Sequence, residues 1–212
     1  MEAVRAFGVI GFIALRISAW TLARGHRLAL VFLLFAGTGI TGLVAAAAPD
    51  EEVPASERAV KAAYLYKFLA YVEWPPAMFA QPESPFVIGV AHADDVAAEL
   101  TSLVASRSVN GRPVQVRRLR DNEAPAGVHM VFIGRTDRAR LTQSALAAQQ
   151  QPHPPLVVTE SPGALDAGSM INLVMSDGHV RFEVSLDNAE RAGLKLSSRL
   201  LAVAQQVRPG PP

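Results

Sequence analysis

Near its carboxyl end the chain gathers four residues of the types that acid–base catalysts and metal sites use. Asp177, His179, Glu183 and Asp187 lie within eleven positions. Carboxylates and imidazole rings can hold a divalent cation or exchange protons with a substrate. The spacing therefore raises the question of whether one site holds all four side chains.

The segment that carries these residues has the pattern of a β-hairpin. Asp177 and Gly178 separate two β-rich runs, and this pair is typical of a two-residue turn. Asp177 then belongs to the turn, and Asp187 is predicted to cap the following helix. His179 and Glu183 remain on the polar face, about 13 Å apart along the strand, which is too far to share a small ion directly. The turn puts residues 171, 173, 175, 180, 182, 184 and 186 on an apolar face, and residues 172, 174, 176, 179, 181, 183 and 185 on a polar one.

The first 48 residues differ in composition from the rest of the chain. They contain four arginines and one acid, Glu2, and residues 28–48 carry no charge. A basic flank, an apolar core and a small-residue end indicate a secretory signal, with cleavage after Ala47 or Ala48. About 20 uncharged residues are also long enough to span a bilayer, so an uncleaved membrane anchor is the alternative. Either interpretation predicts that the remainder is exported to the periplasm.

The exported part, from Pro49 onward, is mildly acidic and has no cysteine. It contains 16 lysines and arginines and 18 aspartates and glutamates, a net charge of −2. This balance disfavours nucleic acid as a partner. The lack of cysteine excludes thiol chemistry and means that the hydrophobic core alone stabilises the domain.

Helical and strand patterns alternate along the exported part. We predict a linker over 49–56, one α/β domain over 57–207 and a tail over 208–212. Alternation of buried strands with helices indicates a single three-layer domain with a mostly parallel sheet and a C-terminal antiparallel hairpin. Buried strands are predicted over 86–91, 129–134 and 155–160, and a further strand over 113–119 after the turn at Asn110-Gly111. Helices are predicted over 56–74, from Asp94, from Thr136 or Asp137, from Asn188 to Gly193, and from Ser197 to Val207.

The carboxyl ends of the buried strands are the remaining place to look for chemistry. Open α/β sheets bind ligands at this edge, so His92 and Glu160 are predicted ligand-binding residues of a small-molecule site. The same cleft could serve a hydrolase if Ser161 were a nucleophile, but no base is placed by sequence to activate it. Glycine-rich phosphate loops and G-x-S-x-G elbows are missing from the sequence. We therefore predict no cofactor, no metal site and no enzymatic activity.

The first helix is unusually aromatic. "YLYKFLAYVEWPP" contains three tyrosines and one tryptophan, more than packing against a sheet requires. Such amphipathic rings are enriched at binding surfaces. Tyr66, Lys67 and Trp74 are expected to be partly exposed and to contact a partner, as are Arg181 and Glu183 on the polar face of the hairpin.

Four segments in order resemble the YfiR family. They are "VKAAYLYKFLAYVEWPP" at 60–76, "VNGRPVQVRRL" at 109–119, "HMVFIG" at 129–134, and "GSMINLVMSDGHVRFEVSLDNAERAGLKLSSRLLAVA" at 168–204. The resemblance covers essentially the whole exported domain. Two positions depart from the family pattern: Val128 stands where members carry a cysteine, and Lys67 replaces an asparagine.

The resemblance implies a periplasmic regulator that represses an inner-membrane sensor by binding it. The leading partner is a diguanylate cyclase, so that release would raise cyclic di-GMP and promote biofilm formation. It also implies an α/β fold, a tendency to form homodimers and no catalysis. The alternative is a periplasmic small-molecule-binding domain that serves a transporter or a histidine kinase.

Overall fold

The structure is a computed structural model that describes residues 56–210. The predicted signal or anchor, the linker up to residue 55 and the last two residues of the tail lie outside the described residues. The helices are α1 (Glu57–Phe68), α2 (Asp94–Val104), α3 (Arg138–Gln149), α4 (Leu186–Arg191) and α5 (Ser198–Ala202). The strands are β1 (Val72–Glu73), β2 (Phe86–Ala91), β3 (Ser108–Val109), β4 (Arg112–Arg118), β5 (Met130–Ile133), β6 (Leu156–Thr159), β7 (Ile171–Ser176), β8 (His179–Ser185), β9 (Lys195–Leu196) and β10 (Gln206–Arg208).

One mixed sheet of eight strands organises the described residues, in the order β10-β8-β7-β6-β5-β2-β4-β3. Strands β4, β2, β5, β6 and β7 are parallel neighbours. The hairpin adds β8 antiparallel to β7, and β3 is antiparallel to β4 at the other edge. The predicted α/β class, with a mainly parallel sheet and a late antiparallel hairpin, is confirmed.

Helices cover both faces of this sheet. The β2-α2-β4 and β5-α3-β6 connections step in opposite directions along the sheet, so right-handed crossovers place α2 and α3 on opposite faces. Helix α1 packs beside α2. Strands β5 and β6 are buried along their whole length because helices cover them on both sides.

The first helix is shorter than the sequence pattern predicts. It ends at Phe68, and a single 3₁₀ turn, Leu69–Tyr71, leads into β1 instead of continuing to Trp74. Strand β1 pairs with β9 through Val72 and Leu196, more than 100 positions away in the chain. The backbone N–H and C=O groups that a longer helix would have bonded internally therefore bond to β9. The predicted helical end at Trp74 is wrong for this reason.

The carboxyl end of the domain also departs from prediction. Ser197 caps α5 as expected, since its side chain accepts a hydrogen bond from the Leu200 amide at 3.3 Å. The helix stops at Ala202, however, and residues 206–208 form β10, a parallel neighbour of β8 at the sheet edge. Val207 is therefore 36% exposed on an edge strand and not on the inward side of a helix.

Candidate functional site

The residues that first suggested a catalytic site form the predicted hairpin. Asp177 and Gly178 both have positive φ, 51° and 75°, as the two-residue turn requires. The pairs run from Ser176 opposite His179 to Ile171 opposite Val184, which is the predicted register. The alternation of buried and exposed positions on β8 follows directly from this register.

The four residues do not converge on one site. His179 is exposed and its Nδ1 lies 2.7 Å from the Asp177 carbonyl oxygen, whereas Glu183 is four positions along the strand. Asp187 does not cap α4: the cap is Ser185, whose side chain accepts from the Asn188 amide at 3.3 Å. Asp187 lies in the first turn, where it pairs with Arg191 one turn later. Within residues 56–210, no three His, Cys, Asp or Glu side chains are grouped to hold a metal ion.

The apolar face of the hairpin holds α1 against the sheet. The Phe182 ring meets Phe68 edge-on at 5.2 Å and Tyr64 at 5.5 Å between centroids. The Tyr64 hydroxyl donates to the Val180 carbonyl at 3.4 Å. This aromatic packing fixes which face of α1 remains available to solvent.

The outer side of α1 lines a shallow groove of about 240 Å³ beside the β3–β4 turn. The Tyr66 hydroxyl donates to the Ser108 carbonyl at 2.9 Å, and the Arg107 guanidinium lies 5.7 Å from the centre of the same ring. Tyr66 is partly exposed, Lys67 is exposed, and Tyr71 is 36% exposed on the same groove. We call Tyr66, Lys67, Ala70, Tyr71 and residues 108–110 the α1 groove.

Trp74 lies away from the α1 groove. Its Nε1 donates to the Leu69 carbonyl at 2.9 Å, and its ring packs edge-on against Phe86 at 5.6 Å and His129 at 6.1 Å. The side chain is half-buried, so part of the ring reaches solvent as predicted. These contacts give the ring a packing role within the domain. The role of Trp74 in partner binding stays a prediction.

The remaining two predicted partner residues, Arg181 and Glu183, lie on the face of β8 opposite α1. They alternate with Phe182, whose ring contacts the helix, so their side chains leave the other face of the sheet. Arg181 is exposed and Glu183 is half-buried. The five predicted partner residues are thus divided among three places: Tyr66 and Lys67 lie in the α1 groove, Trp74 lies apart from it, and Arg181 and Glu183 lie on the other face of the sheet.

Glu160, at the carboxyl end of β6, uses both carboxylate oxygens within the domain. Oε2 pairs with the Lys61 ammonium of α1, and Oε1 accepts from the Arg135 amide at 3.0 Å. Lys61 also pairs with Glu57 one turn earlier at 2.5 Å. The Lys61 and Glu160 side chains are each 11% exposed. This ion pair attaches α1 to the carboxyl end of β6, in the middle of the sheet. Sequence inspection does not reveal this contact.

The charge state of Lys61 follows from its neighbours. Burial alone would lower the pKa of its ammonium, but the hydrogen bonds and negative charges of Glu160 and Glu57 outweigh burial and raise the pKa above 10.5. Lys61 is therefore protonated throughout the neutral range, and its pair with Glu160 is a full ion pair.

His92 stands at the point where the sheet order reverses, between β2 and β5. It has a φ of 56°, and its Nδ1 lies 3.4 Å from the Asp121 carboxylate. A cavity of about 20 Å³ adjoins it, which is room for one water and far below the several hundred Å³ of ordinary ligand sites. The ligand site at His92 and Glu160 stays a prediction, and the contacts of Glu160 and this small volume do not favour it.

Close backbone approach explains why this strand end is filled. A Cβ on Gly134 would lie 2.2 Å from the His92 carbonyl oxygen, so glycine allows the backbone just after β5 to lie against the backbone just after β2. The start of α2 follows at once, with Asp94 as its first residue and Ala93 at the cap position without a side-chain bond. The start of this helix at Asp94 is as predicted.

Ser161 is buried and its hydroxyl is directed at a backbone segment. Oγ accepts from the Thr136 amide at 3.3 Å and lies 3.5 Å from the Thr136 carbonyl. These contacts join the loop after β6 to the loop after β5. They give the hydroxyl a structural role at the strand ends.

His129 lies inside an aromatic cluster at the other end of the strands, directly before β5 begins. Phe79 stacks on its ring at 4.5 Å, Phe86 meets it at 5.3 Å, and the Arg112 guanidinium covers Phe79 at 3.9 Å. Its Nδ1 accepts from the Val87 amide at 3.1 Å, while its buried Nε2 makes no hydrogen bond of ordinary geometry within residues 56–210. The histidine is a packed, neutral residue of the core boundary.

Burial lowers the pKa of His129 below 6.5, because it penalises the charged imidazolium. The Met78 backbone raises this pKa and the positive charge of Arg112 lowers it further, but burial has the largest effect. The unfolded chain therefore binds the proton first on acidification. We expect stability to be complete above about pH 6.5 and to decline below it, by at most about 1.4 kcal/mol per pH unit, until the folded pKa is reached. Urea unfolding midpoints measured between pH 7.5 and 5.5 test this.

His129→Gln should flatten that decline, because glutamine keeps an acceptor for Val87 and does not titrate. His153→Ala, which changes an exposed loop histidine, is the matched control and should leave the slope as it is. An equal slope in the wild type and His129→Gln would contradict this account of the buried ring.

The fold and these contacts define the class of protein: an α/β domain whose strand ends are filled by its own side chains and whose exposed aromatic groove lies on an outer helix. The chain belongs to the YfiR/HmsC-like family, whose model matches residues 58–205. Proteins of this family are periplasmic regulators of cyclic di-GMP signalling.

Two solved structures are similar to parts of the chain. A conserved domain protein from Vibrio cholerae O1 biovar El Tor strain N16961 is 13% identical with a TM-score of 0.47, over 72% of this chain and 60% of that one. The ABC domain from Streptococcus pneumonia in complex with L-Trp is 11% identical with a TM-score of 0.40, over 58% of this chain and 55% of that one. The chain thus spans little more than half of each of these two proteins. No curated protein matches it.

In the part of the chain that the structure describes, none of the helices has both the length and the apolar character needed to cross a membrane.

Proposed function

We propose that the protein represses an inner-membrane diguanylate cyclase by binding its periplasmic region through the α1 groove. Family membership supports the cyclic di-GMP pathway, and export by the segment over 1–48 would place the domain beside such a partner. Release of the cyclase would raise cyclic di-GMP and favour biofilm formation. A homodimer would present two such grooves.

The observation that carries this proposal is the composition of the α1 groove. It combines the exposed ring of Tyr71 and the partly exposed ring of Tyr66 with Lys67, which forms no salt bridge among residues 56–210. Tyrosine buries a large area at low entropic cost and still offers a hydroxyl group, which is why it dominates binding surfaces. An acidic and apolar segment of a membrane sensor fits this chemistry.

Repression would act by population shift. A regulator that binds the inactive arrangement of the cyclase more tightly than the active one moves the equilibrium toward the inactive state. Shifting the ratio of active to inactive cyclase from 99:1 to 1:99 requires the regulator to bind the inactive state about 5.5 kcal/mol more tightly than the active one. A few well-buried contacts at one groove can supply this amount.

The affinity-tagged protein should recover the cyclase from solubilised membranes. We expect Lys67→Glu and Tyr71→Ala each to reduce this recovery by at least about tenfold, because each removes a central contact worth more than about 1.4 kcal/mol. The readout is the cyclase recovered per tagged protein. Both positions are exposed, so folding should be retained.

Two charge-matched variants complete this experiment. Arg199→Glu changes an exposed cation elsewhere and should leave recovery unchanged. Arg181→Glu makes the same change on the opposite face of the sheet. Loss of recovery with Arg181→Glu and not with Lys67→Glu would assign binding to the hairpin's polar face and contradict the α1 groove.

A further inference from the structure

A polar cleft of about 680 Å³ lies on the side of the sheet opposite α1, between α3 and the carboxyl-terminal elements. One wall is a stripe of α3, formed by Arg138, Thr142, Leu146 and Gln149, which repeat at helical spacing over about 16 Å. Arg191 of α4 and Arg208 of β10 line the other side. The volume falls within the range of small-molecule sites, unlike the cavity beside His92.

Positive charge is concentrated in this cleft although the exported chain is acidic. Asp187 pairs with Arg191, and Asp166 pairs with Arg208 at 2.5 Å. Arg138 forms no salt bridge with any other residue from 56 to 210. Three guanidinium groups thus face two carboxylates, which leaves one positive charge in excess.

The guanidinium groups also retain donors. Each carries five N–H groups, and Asp166 engages only Nη1 of Arg208. Arg191 uses Nη2 for Asp187 and Asn188 and Nε for the Asp187 carbonyl at 3.4 Å, so its Nη1 remains available. A planar fork of N–H groups matches the oxygens of carboxylates and phosphates.

The cleft contains apolar surface beside these charges. Leu146 is 50% exposed on the α3 wall, and the half-buried Ala167 also lines the cleft. An exposed leucine between arginines suits a ligand with a carbon skeleton between anionic groups better than a bare inorganic ion. We infer that this cleft binds a small, multiply charged organic oxyanion through Arg138, Arg191 and Arg208.

This inference is independent of the proposed cyclase surface, because the α1 groove and the cleft lie on opposite faces of the sheet. Ligand binding can therefore be measured in the absence of the partner. The probes are citrate, which carries three carboxylates, and fructose 1,6-bisphosphate, which carries two phosphates on a carbon skeleton, with sodium chloride at matched ionic strength as the background and glycerol as the neutral comparison.

Isothermal titration of the full-length protein should show saturable binding of at least one probe and none of glycerol. The tighter probe identifies carboxylate or phosphate as the preferred group. Arg138→Gln should weaken binding about tenfold, since it removes a charge-assisted contact without breaking a salt bridge. Arg191→Gln should weaken it similarly, and Arg199→Gln, outside the cleft, should bind as the wild type does.

Three results would overturn the inference. The first is the absence of saturable binding of either probe to folded protein. The second is equal weakening by Arg199→Gln and Arg138→Gln, which would indicate nonspecific attraction to a basic surface. The third is loss of cyclase recovery in the arginine variants without any binding of the probes, which would assign the cleft to a protein partner.

Discussion

Replacing Lys61 with alanine is expected to lower the free energy of unfolding by about 3 kcal/mol, because it leaves the Glu160 carboxylate largely buried without its cation. Breaking one side of a buried ion pair costs about 3 to 5 kcal/mol, and the small remaining exposure of this pair favours the lower end. Urea unfolding at pH 7 measures the loss. The attachment of α1 to the carboxyl end of β6 should weaken with it.

Two comparisons make this prediction specific to the ion pair. Lys67→Ala removes an exposed lysine from the same helix and should change stability by less than about 0.5 kcal/mol. The double variant Lys61→Met with Glu160→Leu should recover most of the loss, since apolar residues often replace a buried pair at little cost. A loss of similar size in Lys61→Ala and Lys67→Ala would contradict the role of the pair.

Phe182→Ala should cost about 3 to 5 kcal/mol, the usual range for deleting a buried aromatic ring. The side chain is 2% exposed and contacts the rings of both Tyr64 and Phe68, so the cavity cannot collapse without moving α1. We expect a lower urea midpoint and earlier loss of the near-ultraviolet circular dichroism that reports the packed tyrosines.

Arg181→Ala is the matched control for this ring. It changes the preceding residue of β8, on the opposite face, where the side chain is exposed. Its effect on stability should stay within about 0.5 kcal/mol. If Phe182→Ala were as mild as Arg181→Ala, the hairpin would not be the element that holds α1 in place.

Local chemistry made the hairpin predictable. Asp177 and Gly178 fix the turn, and a two-residue turn fixes the pairing of every residue along β7 and β8. The same reasoning places Asn110 and Gly111, both with positive φ, between β3 and β4. The supposed catalytic cluster could thus be dismissed from sequence, because Asp177 belongs to the turn and the rise along β8 keeps His179 and Glu183 apart on one face.

Long-range contacts account for what sequence reasoning missed. The strand at Val72 forms because β9 pairs with it, and residues 206–208 form a strand because β8 offers an edge. The partner of Glu160 lies 99 positions away on α1, and no local pattern indicates it. The division of the predicted partner residues among three places likewise follows from packing, which spacing along the chain does not reveal.

The most direct test of repression is the level of cyclic di-GMP in cells that lack this protein. Deletion of the gene should raise the level several-fold over the wild type, and expression of the wild-type chain should restore it. Expression of Lys67→Glu should fail to restore it despite normal protein levels. An unchanged level of cyclic di-GMP in the deletion strain would contradict the proposal that the protein represses a diguanylate cyclase.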